Sequence, residues 1–181
     1  MKMIEAMAYN LPHIQRIEAK NILGFKDLKL TFSSGINLVT GWKAEGKSNL
    51  ITLLSEAYKH GFILASELLI GRMDLSARLL VEYAPFEHKY YRHRTPLCYG
   101  PLYMESFANF KRFLKELPKE HCFVTELDWL IFFNRHLVPC QEVWAALSKA
   151  RCQVIATVFD SERLTLPTSG FTVHRLPRRR Q

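Results

Sequence analysis

Gly41, Gly46, Lys47 and Ser48 occupy the fixed positions of the pattern G-x-x-x-x-G-K-[ST] within GWKAEGKSNL, residues 41–50. These residue types at this spacing suit one chemistry, the binding of a nucleotide's phosphates. The glycines let the backbone curl until successive N–H groups point at phosphate oxygens. Lys47 can reach the outer phosphates, and the Ser48 hydroxyl can hold Mg²⁺. Lys43 adds positive charge nearby. Glu45 adds negative charge, which repels phosphate if it faces inward and is harmless if it faces out; the sequence admits both. Average residue usage gives about a one per cent chance of this pattern in a chain of this length. An ordinary turn before a helix is therefore the weaker alternative.

The second chemical candidate is acidic. CFVTELD, residues 122–128, is an apolar run that ends at Glu126 and Asp128. Carboxylates beside a phosphate loop can orient Mg²⁺ and polarise an attacking water. They can also be plain acids at the end of a strand.

The loop needs a buried strand before it and a helix after it, and the sequence predicts both. INLVT, residues 36–40, is a short apolar strand running into Gly41. NLITLLSEAYKHG keeps helical spacing at Leu50, Leu53, Leu54, Ala57 and Tyr58, with Gly61 as its stop. Upstream, HIQRIEAKNI and FKDLKLTF read as strands, with SSG as a turn. Downstream, SARLLVEYA and HKYYRHR read as a hairpin around PFE, and TPLCYGP as a Pro/Gly-rich connection. MESFANFKRFLKEL is an amphipathic helix with Phe107, Phe110, Phe113, Leu114 and Leu117 inward, ended by Pro118. HCFVTELDWLIFF reads as a strand, CQEVWAALSKA as a helix, and CQVIATVF and GFTVHRL as strands. Residues 1–12 are expected to form a loose leader and 177–181 a basic tail, on a single domain spanning 1–181.

The segment RIEAKNILGFKDLKLTFSSGINLVTGWKAEGKSNLITLL resembles the N-terminal head segment of the SMC/Rad50/RecF group of ABC-type ATPases. Asn21, Phe25, Gly35, Ile36, Asn37, Gly41, Gly46, Lys47, Ser48 and Asn49 stand at the matching positions. The resemblance implies an α/β fold: a P-loop NTPase core with a parallel-rich sheet flanked by helices, plus an antiparallel β lobe. It implies ATP and Mg²⁺ as ligands, with Gly41, Lys43, Gly46, Lys47, Ser48 and Asn49 at the nucleotide, Ser48 on the metal and Glu126 as the catalytic carboxylate. Such heads carry a long helical insertion for which this chain has no room. Later motifs depart from the pattern. Thr125 stands where an Asp orients the metal, so either Glu126 is the base, or Glu126 takes the metal role and Asp128 the base role. The L-S-G-G signature is reduced to Ser106. The inter-lobe Gln is absent between Ser48 and Glu126. Val158 or Phe159 replaces the switch His, and His174 lies one strand further on. The implied function is a weak or partner-dependent ATPase of DNA repair, recombination or chromosome maintenance. The alternative is a non-hydrolysing head serving as a DNA-binding or adaptor subunit, and a homodimer or hetero-complex suits either.

The totals agree with an anionic partner. The formal charge is +8 in 181 residues, which favours association with nucleotide or nucleic acid and says nothing of fold. Arg92 and Arg94, interleaved with Tyr90 and Tyr91, suit phosphate contact and base stacking. Arg178, Arg179 and Arg180 suit DNA phosphates without sequence preference. Both stretches can equally be solvated surface. Cys98, Cys122, Cys140 and Cys152 are widely spaced with no C-x-x-C pair, and are expected to be reduced and structural. No apolar run is long enough for a membrane span. The expected location is the cytoplasm, or the nucleoid or nucleus when bound to DNA.

Overall fold

The computed structural model describes residues 13–54, 73–83, 98–99, 106–117, 122–132, 138–161 and 164–177. Among them the chain is α/β, with two sheets. The first is antiparallel, in the order β2-β1-β4, from β1 (Ile14–Ile22), β2 (Phe25–Thr31) and β4 (Met73–Tyr83). The second is parallel, in the order β5-β6-β7-β3-β8. It comprises β3 (Ile36–Gly41), β5 (Cys98–Tyr99), β6 (Cys122–Glu126), β7 (Gln153–Phe159) and β8 (Phe171–Arg175).

The antiparallel sheet follows its pattern of apolar residues. Ile17 and Ala19 are two apart, but Ile14 lies three before Ile17 and Ile22 three after Ala19, yet all four are buried. A strict period of two cannot bury them together. Two irregularities in the register against β4, between Ile14 and Arg16 and between Lys20 and Ile22, restore the phase. Asn21 sits at the second with φ 49°, a left-handed conformation that Asn tolerates better than most residues. Leu23 and Gly24 (φ 46° and 79°) then make the two-residue turn that matches strand twist.

The parallel sheet is covered on both sides, so its strands are apolar on both faces. All six residues of β3 are buried. On one face lie α1 (residues 47–54) and the antiparallel sheet, with Leu50, Leu53 and Leu54 against Val39, Val124 and Ile155. On the other lie α2 (Phe107–Glu116), α3 (Asp128–Ile131) and α4 (Cys140–Leu147), where Phe110, Leu114 and Trp144 meet Leu38, Phe123, Val154 and Ala156. Each large side chain so buried contributes roughly 1.5–3 kcal/mol. α2 begins at Ser106, whose Oγ accepts from the Asn109 N–H at 3.2 Å. It ends at an extended Leu117, as the residue before a proline prefers.

Two polar side chains fasten the layers. Asn37, with no exposure, accepts from the Ser33 N–H (2.8 Å) and donates to the carbonyls of Ser33, Gly35 and Val154. Gln153 accepts from the Ile14 N–H and donates to Ile14 O, both at 2.8 Å, and to Ser33 O at 2.7 Å. Sheet, turn and antiparallel lobe are thereby joined at one point.

Three expectations need correction. The stretch 121–133 is not one strand: β6 stops at Glu126, the Leu127 N–H bonds Thr157 O (2.9 Å), and α3 begins at Asp128. The connection around 95–101 contains the short edge strand β5, paired with β6. β4 starts at Met73, three residues before the expected strand. The second hairpin strand, the leader, Pro118, Arg92, Arg94 and Arg178 to Arg180 lie outside the described residues. Cys122, Cys140 and Cys152 are buried, and burial pushes the Cys152 thiol up to about 11. Among the described residues no helix is long and apolar enough to cross a membrane.

Candidate nucleotide-phosphate site

In a parallel sheet every strand ends on the same side. Gly41 at the end of β3, Glu126 at the end of β6, Phe159 at the end of β7 and Arg175 at the end of β8 therefore share one rim of the molecule. β7 and β8 flank β3 on opposite sides, the kind of junction where open α/β sheets bind ligands.

The loop between β3 and α1 is pinned at its entry. Gly41 O accepts from the Asp160 N–H (3.0 Å), and Thr40 O from the Leu176 N–H (2.8 Å). The loop turns tightly through Ala44 (φ 65°) and Gly46 (φ 97°). Gly46 adopts this conformation without a Cβ penalty, whereas Ala44 bears one. Leu50 N–H to Gly46 O (2.8 Å) closes the first turn of α1.

Lys47 is only 7% exposed. Its ammonium donates to Gly41 O and Trp42 O, each at 3.1 Å, and lies 5.2 Å from the centre of the Phe159 ring. The lysine is thus held across the mouth of its own loop. Phe159 also meets Trp42 and Phe132 edge-on, at 6.2 and 5.9 Å between ring centres. Phe159 is therefore an apolar wall beside the ammonium.

Ser48 Oγ donates to Glu126 Oε1 at 2.6 Å. β6 is not next to β3, since β7 lies between them, yet the carboxylate reaches the loop's hydroxyl. Strand parity explains which acid does so. Phe123 packs on the α2–α4 face and Val124 on the α1 face, so alternation sends Thr125 toward the helices and Glu126 toward the loop. Thr125 is buried, and its hydroxyl is 3.5 Å from Glu126 O.

Asp128 Oδ1 accepts from the Phe159 N–H at 2.5 Å. Burial pushes its carboxyl above the usual carboxylate range. The Phe159 N–H and the Lys47 charge pull it down, and the Glu126 charge pushes it up. Asp128 thus lies within electrostatic reach of both Lys47 and Glu126.

The other named residues fall as follows. Lys43 is exposed on the outside of the loop. Asn49 donates its amide to Leu23 O at 2.6 Å, tying α1 to the β1–β2 turn. Ser106 is occupied as the α2 cap. His174 packs edge-on against Phe32, 5.4 Å between ring centres, in β8, and burial lowers its pKa. Glu45 faces inward: it is 8% exposed, and its Oε2 accepts from the Trp42 N–H at 2.5 Å. Among the described residues no group of His, Cys, Asp and Glu is arranged to hold a metal by itself. Mg²⁺ at Ser48 and Glu126 would need oxygens from a phosphate or water to complete its shell.

No family model matches the sequence, and no curated protein matches it. Among solved structures, the chain is similar to the recombination mediator protein RecF–ATP of the RecFOR pathway. Identity is 27% over 40% of this chain and 21% of that one, with a TM-score of 0.29. The match thus spans about a fifth of that structure, and the fold described above rests on this chain's own strands and registers.

Proposed function

We propose that the chain binds ATP with Mg²⁺ at residues 41–48 and acts as a weak or partner-dependent ATPase of DNA repair, recombination or chromosome maintenance. The observation that carries the binding is the 2.6 Å bond from Ser48 Oγ to Glu126 Oε1. A loop hydroxyl and a strand-end carboxylate, far apart in sequence, meet there, two oxygens of the kind that would hold Mg²⁺. In this reading Lys47 would neutralise phosphate charge, and Ser48 and Glu126 would hold the metal, which would supply positive charge at the phosphates. Asp128 is the remaining carboxylate for the attacking water. The process assignment rests on the sequence resemblance to SMC/Rad50/RecF heads.

The test is the metal dependence of affinity. Wild type should bind ATP more tightly with Mg²⁺ than with EDTA. In Glu126→Gln about tenfold of that gain should vanish, the equivalent of a charge-assisted contact, while affinity in EDTA holds or improves. A variant with the full Mg²⁺ gain would remove Glu126 from the metal.

A second reading, a head that holds nucleotide without turnover and serves as an adaptor or DNA-binding subunit, is favoured by one feature. Asp128 Oδ1 is engaged by the Phe159 N–H, which draws the candidate base toward the strand end. In either reading DNA would be held through Arg92, Arg94, Arg178, Arg179 and Arg180, independently of sequence. Affinity should fall steeply with salt, and failure of the purified protein to retain DNA at low salt would exclude it.

A further inference from the structure

We infer that Glu45 is an internal occupant of the phosphate cradle, and that a nucleotide binds only by displacing it. The inference rests on the nucleotide-binding reading above and adds a gate to it.

A curled loop at a helix N-terminus is a positively polarised concavity even when no ligand is there, because its N–H groups converge. The buried Lys47 ammonium adds a full charge. Such a cavity favours any carboxylate that can reach it. Glu45 can, since it belongs to the loop. A glutamate is seldom buried without a partner, yet Glu45 is 8% exposed, and its Oε2 takes the Trp42 N–H at 2.5 Å. Gly41 makes room: a Cβ there would lie 3.2 Å from the same oxygen. Trp42 thus serves both charges, its N–H held by the Glu45 carboxylate and its carbonyl by the Lys47 ammonium.

A phosphate oxygen cannot use the Trp42 N–H while Glu45 does, and two anions cannot share the cradle at low cost. Lys43 and Ala44 are exposed, so the neighbouring side chains leave the carboxylate a way out to water. The effect on affinity is that of a binding-competent state populated only in part: if the seated form outweighs the open one tenfold, the apparent Kd is raised about elevenfold. Highly charged ligands compete best, which favours a triphosphate with Mg²⁺ over a monophosphate.

The deciding experiment is calorimetry of MgATP with the full chain as wild type, Glu45→Gln and Glu45→Ala, alongside amide exchange of Trp42 without nucleotide. Gln keeps the hydrogen-bond acceptor and loses the charge, and Ala loses both. Affinity should rise from wild type through Glu45→Gln to Glu45→Ala, with about a tenfold gain for Ala. The Trp42 amide should be protected in wild type and exchange faster in Glu45→Ala. Glu45→Gln nearly conserves shape, so its gain stands even if the alanine variant loosens the loop. Equal affinities in all three, with Lys47→Ala still losing ATP, would overturn the gate and leave the nucleotide site intact. No ATP binding by wild type or by either Glu45 variant would overturn both.

Discussion

Replacing Lys47 with alanine should weaken ATP binding about a hundredfold while leaving the chain folded. The Lys47 ammonium is held within the loop. It is fixed at 3.1 Å from two loop carbonyls and sits beside the Phe159 ring, so little entropy is lost when a phosphate arrives. A hydrogen bond to a charged group is worth about 1.5–3 kcal/mol. A lysine meeting two phosphate oxygens therefore accounts for roughly two powers of ten in Kd. The fold should change little, because the variant also removes a partly desolvated charge. Titration calorimetry measures the first effect and urea unfolding the second. Wild-type affinity in the variant would mean that residues 41–48 are only a turn before a helix.

Asn37→Ala should cost about 3 kcal/mol of stability. Its side chain is fully buried and engages Ser33, Gly35 and Val154 through both ends of the amide. Alanine leaves the Ser33 N–H without that acceptor and opens a polar void. One buried group left unsatisfied costs about 1–3 kcal/mol, and a cavity adds to it. The midpoint of urea unfolding should shift with its slope unchanged. A shift worth less than 1 kcal/mol would show that water replaces the amide cheaply. Asn37 also sets the start of β3, so the loop at the strand's other end should lose protection from exchange in the same variant.

The loop was legible in the sequence because its requirements are local. Glycines, a lysine and a serine at fixed spacing, a short apolar strand before and helical spacing after are all readable without tertiary contacts. Most strands and helices were legible for the same reason. What escaped depended on partners far away in the chain. Whether Glu45 faced in or out was undecidable, since the answer lies in the seat made by Gly41 and Trp42. Which strand residue reaches the Ser48 hydroxyl turned on strand parity, which the apolar run alone does not fix. The boundary at Leu127 was hidden because WLIFF is an apolar run that suits strand or helix alike, whereas the Leu127 carbonyl accepts from the N–H groups of Leu130 and Ile131 and so starts α3. Phe159 against Lys47 had a signal only in its position at the end of an apolar strand. Asn49 donates to Leu23 O, a tie that only the packed turn reveals.

The order of strands in the parallel sheet also governs how the protein comes into being. β3 pairs with β7 and β8 alone, and its Asn37 bonds a carbonyl 117 positions further along. Closing so long a loop must precede the contacts that reward it, which makes such a sheet slow to form. During synthesis β3 emerges early, apolar on both faces, and waits for most of the chain with both edges open. Such a strand is exposed to pairing with other chains until its neighbours arrive. The loop at residues 41–48, encoded in the first third of the sequence, is therefore among the last parts of the molecule to take shape.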